Sequence, residues 1–440
     1  MFENIFKKNL INKSKLNLTL IISTLLIIPT YLTGPFLPDL FLSFSAIIFL
    51  IISFKQNLKK FYLNGYSKFF GIFFLYIIIN SFFSPYPEIS LKSSGFYFRF
   101  YLFSLAIWYL ISTEVFFRKI LFNVINLTLI FVLVDTFIQY LFGFDLFRFE
   151  AYTYRLSGPF DEELIVGSFI AKILPILLSL YFLINQKISY KMLFLFLASI
   201  IVTFLSGERT SFFMISFFAL FFLYFVHVDR KKYVLFFSIT VLLLSIISTL
   251  IFDKTRFDRM VRYPVCAMNL FLLEKLDCKK KENFYGQLTD KKRIIVFSIA
   301  HEGHYEAAIR MFLDAPIFGQ GIKMFRYLCE DKKFKNLNSC TTHPHNTLLQ
   351  ILAEIGLIGG AFLFFVIFKI YQTFFKLIFS KKISINKNEK LSFIIINLAM
   401  IQVFLIFLPS GQFFNNYLSI LYYFPLGIFL NFHYNHIDGK

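Results

Sequence analysis

Residues 16–54 read LNLTLIISTLLIIPTYLTGPFLPDLFLSFSAIIFLIISF, with Lys13 and Lys15 close before them and Lys55, Lys59 and Lys60 close behind. Two apolar runs, 16–33 and 37–54, flank a short Gly/Pro turn, and each is long enough for a helix to cross hydrocarbon, which takes roughly 20 residues. One such run also fits a buried core helix or a signal peptide. The pattern repeats, however, along the whole chain. Further apolar runs fall near 69–84, 97–112, 120–142, 163–184, 191–206, 210–227, 233–252, 355–378, 391–408 and 414–432. A dozen runs with polar punctuation cannot all be buried in one soluble core, so the expected fold is an all-α membrane protein of about twelve spans. The composition agrees, at 57% hydrophobic and only 16% charged residues over 440 positions.

The net charge of +19 invites a nucleic-acid reading, but its distribution argues against one. Basic residues sit in alternate connections: Lys7, Lys8, Lys13 and Lys15; Lys55, Lys59, Lys60 and Lys68; Arg118 and Lys119. The same set continues with Lys187 and Lys191, then Arg230, Lys231 and Lys232, then Lys381, Lys382, Lys387 and Lys390. The intervening short connections hold little beyond Lys92, Arg148, Arg155 and Arg209. That alternation is the footprint of membrane topology, with both termini cytoplasmic and anionic headgroups as the partner. The first run lacks a small-residue cleavage site and reads as a retained helix. No internal repeat of the transporter kind is visible.

The chain thus divides into spans one to nine (1–252), a long polar segment (253–344) on the outer side, and spans ten to twelve (345–440). All four cysteines, Cys266, Cys278, Cys329 and Cys340, lie in the long segment. An even number in close pairs outside the cytoplasm favours the disulfides Cys266–Cys278 and Cys329–Cys340. A four-thiolate zinc site competes, without the CxxC spacing such sites use.

Several polar residues stand out on the outer side. Tyr154-Arg155-Leu156-Ser157-Gly158-Pro159-Phe160 joins spans five and six, and Ser206-Gly207-Glu208-Arg209-Thr210 is a very short turn between spans seven and eight. Arg99 lies just inside the outer end of span four. Any one arginine reads as interfacial snorkelling. Three on the face that disfavours positive charge point to an anion, since a guanidinium grips phosphate or pyrophosphate with two donors.

The segment Thr342-His343-Pro344-His345-Asn346-Thr347-Leu348-Leu349-Gln350 leads into span ten and continues to Glu354-Ile355-Gly356-Leu357-Ile358-Gly359-Gly360. Pro344 bars a helix from running backwards and Asn346 is a suitable N-cap. His343 and His345 then stand beside a helix start as candidate general bases. Two bland alternatives remain: a cap with passenger histidines, or a metal site completed by His301 and His304. His304-Tyr305-Glu306-Ala307-Ala308-Ile309-Arg310-Met311-Phe312 reads as an amphipathic helix, ending in the turn Ala315-Pro316-Ile317-Phe318-Gly319-Gln320-Gly321. Asp135 and Lys172 sit within spans, where either lines a cavity or pairs with a neighbour.

In order and side, these segments resemble the O-antigen ligase/O-antigen polymerase superfamily of bacterial membrane glycosyltransferases. RLSGPF precedes one span, GER-T opens another, an amphipathic helix leads to APIFGQG, HPHNTLLQILAEIGLIGG opens span ten, and PSGQFFNN (409–416) precedes the last. The likeness covers roughly residues 150–430. It implies a GT-C-like fold of twelve helices in the inner membrane with a large periplasmic loop between helices nine and ten. It also implies a periplasmic active site that uses neither nucleotide nor metal, hence no cofactor and no nucleic acid. The implied donor is an undecaprenyl-pyrophosphate-linked glycan; the acceptor is a lipid A–core sugar for a ligase, a second glycan for a polymerase, or a protein in a third branch. Arg209 and His345 match the family's essential pair, with His343 sharing the motif. Arg155, Arg99, His343 and Glu354 stand as substrate-binding candidates beside them. The family often has Ser-Arg where this chain has Gly207-Glu208-Arg209, which changes the hydrogen bonding around the arginine. A lipid or polysaccharide transporter is the rival of another class, and would need broken helices in symmetric halves.

Overall fold

The computed structural model describes residues 14–185, 187–226, 253–262, 299–336, 339–380 and 385–437, with scattered positions between 239 and 251. The described chain is helical without strands. The long helices are α1 (Lys15–Thr30), α2 (Phe36–Gln56), α3 (Gly65–Phe82), α4 (Pro87–Ser94), α5 (Phe98–Thr113), α6 (Val115–Phe142), α7 (Val166–Ile184), α8 (Tyr190–Leu205) and α9 (Arg209–Phe225). They continue with α10 (Ile299–Asp314), α11 (Thr347–Phe379), α12 (Lys387–Val403) and α13 (Asn416–His436). Except for α4 and α10, each lies over one of the apolar runs. Seven described helical stretches are long and apolar enough to cross a membrane, and the chain is a multi-pass membrane protein. Most of the run 233–252 lies outside the described residues.

Side-chain caps start many of these helices, because the first backbone N–H groups have no partner within the helix. Ser14 accepts from Asn17 N, Asn64 from Ser67 N, Ser189 from Met192 N and Asn346 from Leu349 N, the last as expected from its place after Pro344. Between helices, small polar groups make the contacts where hydrophobicity gives no preference for protein over lipid. Ser23 and Ser45 hydroxyls meet at 2.9 Å between α1 and α2, and Ser179 and Ser392 do so between α7 and α12. Across α5 and α13, Ser104 donates to the Tyr423 carbonyl at 2.7 Å, and a Cβ on Gly427 would come within 2.5 Å of the Ser104 carbonyl oxygen. Only glycine allows that approach.

Two features differ from the sequence expectation. The run 391–408 is not helical to its end: α12 stops at Val403, because Asn346 takes the Ile406 carbonyl and the chain turns towards Pro409. Helix α11, begun at Thr347, is broken at Ile355 and Gly356 (φ 63°, ψ −164°). A left-handed residue inside a span frees backbone groups, which must find partners in protein rather than lipid. The Ala315–Gly321 turn supplies them. Leu357 N donates to Pro316 O, while Gln320 N and Gly321 N donate to the carbonyls of Ala353 and Glu354. Tyr76 caps the Ile355 carbonyl at 2.6 Å, and Asn80 holds Phe318 O at 2.6 Å.

Within 253–344 the expected amphipathic helix is α10, and the Cys329–Cys340 disulfide is present with its Cα atoms 5.2 Å apart. Cys266 and Cys278 lie outside the described residues.

Candidate active site

Three turns at one end of the bundle build the site. The first joins α8 to α9. Gly207 adopts φ 76°, and a Cβ there would sit 2.2 Å from the Tyr154 carbonyl oxygen. Leu156 N donates to Ser206 O at 3.1 Å, so the Tyr154–Phe160 and Ser206–Thr210 motifs are stitched backbone to backbone. Glu208 is buried and accepts from Gly167 N (2.7 Å), Ser168 N (3.2 Å) and Ser211 Oγ (2.8 Å). Its carboxylate thus caps the start of α7, and its Oε2 lies 4.0 Å from an Arg155 nitrogen. Burial pushes the carboxyl up, and the Arg155 charge opposes that shift most. Arg155 also donates to the Leu164 carbonyl.

The second element was not singled out from the sequence. Arg259, in a single π-helical turn Asp258–Arg262, donates through Nε to Gly207 O at 2.8 Å and lies 4.8 Å over the Tyr154 ring. Burial first, then the neighbouring charges of Arg155 and Arg209, push its guanidinium down to about 10. Arg155, Arg209 and Arg259 therefore form one cationic group with Glu208 beside it. The available signal was the three-residue spacing of Arg256, Arg259 and Arg262 just after the run 233–252. A long outer segment escapes the charge-counting rule, so that spacing carries no topological signal of its own.

The third element is the histidine turn. His345 has φ 54°, a left-handed conformation rare outside glycine, and its carbonyl accepts from Ser410 N at 2.9 Å. Thr347 and Ser410 hydroxyls meet at 2.7 Å, and Phe413 N donates to Gln350 Oε1 at 2.9 Å. The 409–416 segment is thereby docked along the histidine turn. His343 faces the Ser410 carbonyl through Nε2 at 3.2 Å and Thr342 Oγ1 through Nδ1 at 2.9 Å. A carbonyl only accepts, so Nε2 carries the proton and Nδ1 receives the threonine hydroxyl. Both nitrogens of His343 are engaged. Those of His345 make no hydrogen bond among the described residues.

His301 and His304 lie one helical turn apart on α10, which sets their rings on one face. Their centroids are 5.3 Å and 5.5 Å from that of His345, and His343 is 4.1 Å from it. Burial holds three of these imidazoles, His301, His343 and His345, neutral: His345 falls to about 4 with His304 adding to the effect, and His343 to about 3. His301 falls to about 4, through burial and then the charges of His345, His304 and Arg209. Arg209 is thus close enough to act on the imidazole against which His345 packs.

The remaining candidates stand elsewhere. Glu354 is wholly buried, accepting from Gln350 Nε2 at 3.1 Å and Phe325 N at 3.4 Å beside the break in α11. It braces the histidine turn from behind. Arg99 grips Asp39 with both ends of its fork, Nε to Oδ1 at 3.2 Å and Nη2 to both oxygens at 2.9 and 3.0 Å. It lines a separate cavity with no histidine in its described walls. Asp135 accepts from Leu146 N, and Lys172 donates to Ser168 Oγ beside the Glu208 cap, so both serve the outer loops.

Fold and site together describe a multi-pass membrane protein with a cluster of arginines beside a set of packed imidazoles. Residues 193–364 match the family model described as O-antigen ligase, which supports the O-antigen ligase/O-antigen polymerase superfamily. The matched segment holds Arg209, Arg259 and all four clustered histidines, while Arg99 and Arg155 precede it. A comparison with curated proteins gave no match.

Proposed function

We propose that the protein is an O-antigen ligase-type glycosyltransferase, moving a glycan from undecaprenyl pyrophosphate to a lipid A–core sugar. The observation that carries this reading is a cationic group (Arg155, Arg209, Arg259) whose Arg209 acts on His301, the ring packed 5.3 Å from His345, an imidazole whose nitrogens make no hydrogen bond among the described residues. Outside the cytoplasm no nucleotide supplies energy, so the donor must carry its own activation, as a sugar pyrophosphate does. Its leaving group needs charge stabilisation more than protonation. In a direct displacement His345 takes the proton from the acceptor hydroxyl as that oxygen attacks the anomeric carbon. The bond from that carbon to the pyrophosphate oxygen breaks, its electron pair leaves with the pyrophosphate, and the arginines hold the charge that develops. The anomeric configuration inverts. No metal is required for this step.

The reading includes twelve spans, both termini in the cytoplasm and a periplasmic site. The alternation of basic connections supports that topology, and so does the Cys329–Cys340 disulfide, which suits an oxidising compartment. A polymerase, extending a carrier-linked glycan, would use the same groups, and the family match bears on both alike; the HPHN…Glu-x-Gly segment leans the reading to the ligase.

The test is reconstitution of the purified full chain with polyprenyl-pyrophosphate glycan and candidate acceptors, without added metal or nucleotide. Capped lipid A–core is the expected product. Lengthened carrier-linked glycan would assign a polymerase instead, and absence of transfer to any acceptor would sink the transferase reading.

A further inference from the structure

The cavity that contains Arg99 remains unused by the chemistry above. It has a volume of 320 Å³, and Lys92, Arg99, Lys323, Ser43, Ser93 and Asn416 are among its walls. Three cations from separate stretches of chain converge there. One carboxylate, Asp39, is gripped by Arg99 and receives Asn416 Nδ2 at 3.3 Å. Neither Lys92 nor Lys323 makes an ion pair among the described residues, although the buried Glu354 acts on Lys323 from a distance. Lys323 adopts φ 62°, a left-handed backbone that a lysine enters at a cost of about 1 kcal/mol or more. It follows Gly321, whose absent Cβ would meet Ser84 at 2.2 Å, so packing holds the residue in that conformation. Burial and then the charge of Arg326 lower its ammonium, Glu354 opposes them in part, and Arg99 adds to the lowering; a bound anion would act against the net shift.

The 409–416 segment links the cavity to the histidine turn. Ser410 touches His343, His345 and Thr347 at one end of the 409–416 segment, and Asn416 lines the cavity at the other. Six residues span at most about 20 Å, the reach of a few sugar rings. Both transfer readings bring two anionic lipids to the enzyme, since ligase and polymerase acceptors alike carry phosphate or pyrophosphate. Two such groups repel and cannot share one set of arginines.

We propose that this cavity is a second anion site, seating the phosphate or pyrophosphate of the acceptor lipid while Arg155, Arg209 and Arg259 hold that of the donor. The acceptor assignment rests on the transferase reading; the anion site does not.

Two measurements separate them. In the first, the full chain in neutral phosphatidylcholine nanodiscs is titrated with dodecyl phosphate, with dodecyl maltoside as the uncharged control. Lys92→Gln/Lys323→Gln is expected to weaken the phosphate probe by about tenfold or more and leave the control unchanged. Equal affinity in wild type and variant overturns the site. If phosphatidylglycerol displaces the probe at equal concentration, the cavity reads bulk headgroups and the acceptor assignment falls. In the second, transfer is followed against each substrate in turn. The variant should raise the acceptor KM by about tenfold, with the donor KM unmoved. A rise in donor KM instead overturns the assignment. No transfer by wild type refutes the transferase reading and the acceptor role with it, while a tenfold loss of probe affinity would still establish the anion site.

Discussion

Arg209 and Arg99 are the same residue type at the same end of the helix bundle, yet their surroundings are opposite. Arg99 is matched by a carboxylate in a two-pronged pair with Asp39. Arg209 has no carboxylate partner among the described residues and stands with Arg155, Arg259 and the His301 ring. A matched guanidinium fixes structure, whereas three arginines with only Glu208 beside them hold excess positive charge for something that arrives later. The difference lies in the counterion, and counterions come from other parts of the chain.

The largest effect tests the histidine half of this contrast. His345→Ala should lower transfer by about 10²–10⁴-fold, the range for losing a general base. His343→Ala should cost markedly less, because its ring is engaged with Ser410 and Thr342 and serves to hold the turn. If the order were reversed in well-folded protein, the base would be His343. Next in size is Arg209→Ala, with about 10²–10³-fold expected from the loss of one donor to the leaving group. Arg99→Ala should leave the donor KM unchanged. Equal kinetic losses from the two arginines would erase the distinction between matched and unmatched charge.

Glu208→Gln is a finer probe. It keeps one acceptor oxygen for Gly167 N, sets an amide NH2 that Ser211 Oγ can accept from in place of the second oxygen, and removes the charge facing Arg155. We expect about a tenfold fall in transfer with little change in thermal stability, whereas Glu208→Ala should also lose the α7 cap, about 1 kcal/mol. A Gln variant as unstable as the Ala variant would show that the ion pair, not the cap, anchors the turn.

The apolar runs and the Asn346 cap were legible in the sequence because both are local: hydrocarbon thickness sets the run length and a cap acts over three residues. So were the motifs carrying Arg209, Arg155 and His345. What stayed hidden depended on distant partners. The break at Gly356 is stable only because the 315–321 turn reaches back to it, and α12 ends early only because Asn346 claims the Ile406 carbonyl. The Arg99–Asp39 pair joins two spans, and Arg259 reaches Gly207 across 52 residues. His301 and His304 were visible solely as metal candidates, since nothing local says that α10 lays them against His345.

The smallest expected effect is in the pH profile. His345 is held down to about 4, by burial first and the neighbouring His304 second, against an ordinary value of 6.5. A general base works in its neutral form, so protonation stops it. With the lowered value the neutral form persists as pH falls through 6.5, and it is lost only on approach to about 4. Plotted against pH, kcat/KM should therefore be flat from roughly pH 7.5 to 5.5 and fall in acid well below that. His301 and His343 are held neutral over the same range, so they add no charge that would repel an acceptor or compete for the pyrophosphate. An acidic limb centred near 6.5 would place the working base in open water and not in the buried cluster. The contrast between the histidine turn and an ordinary exposed imidazole would then fail.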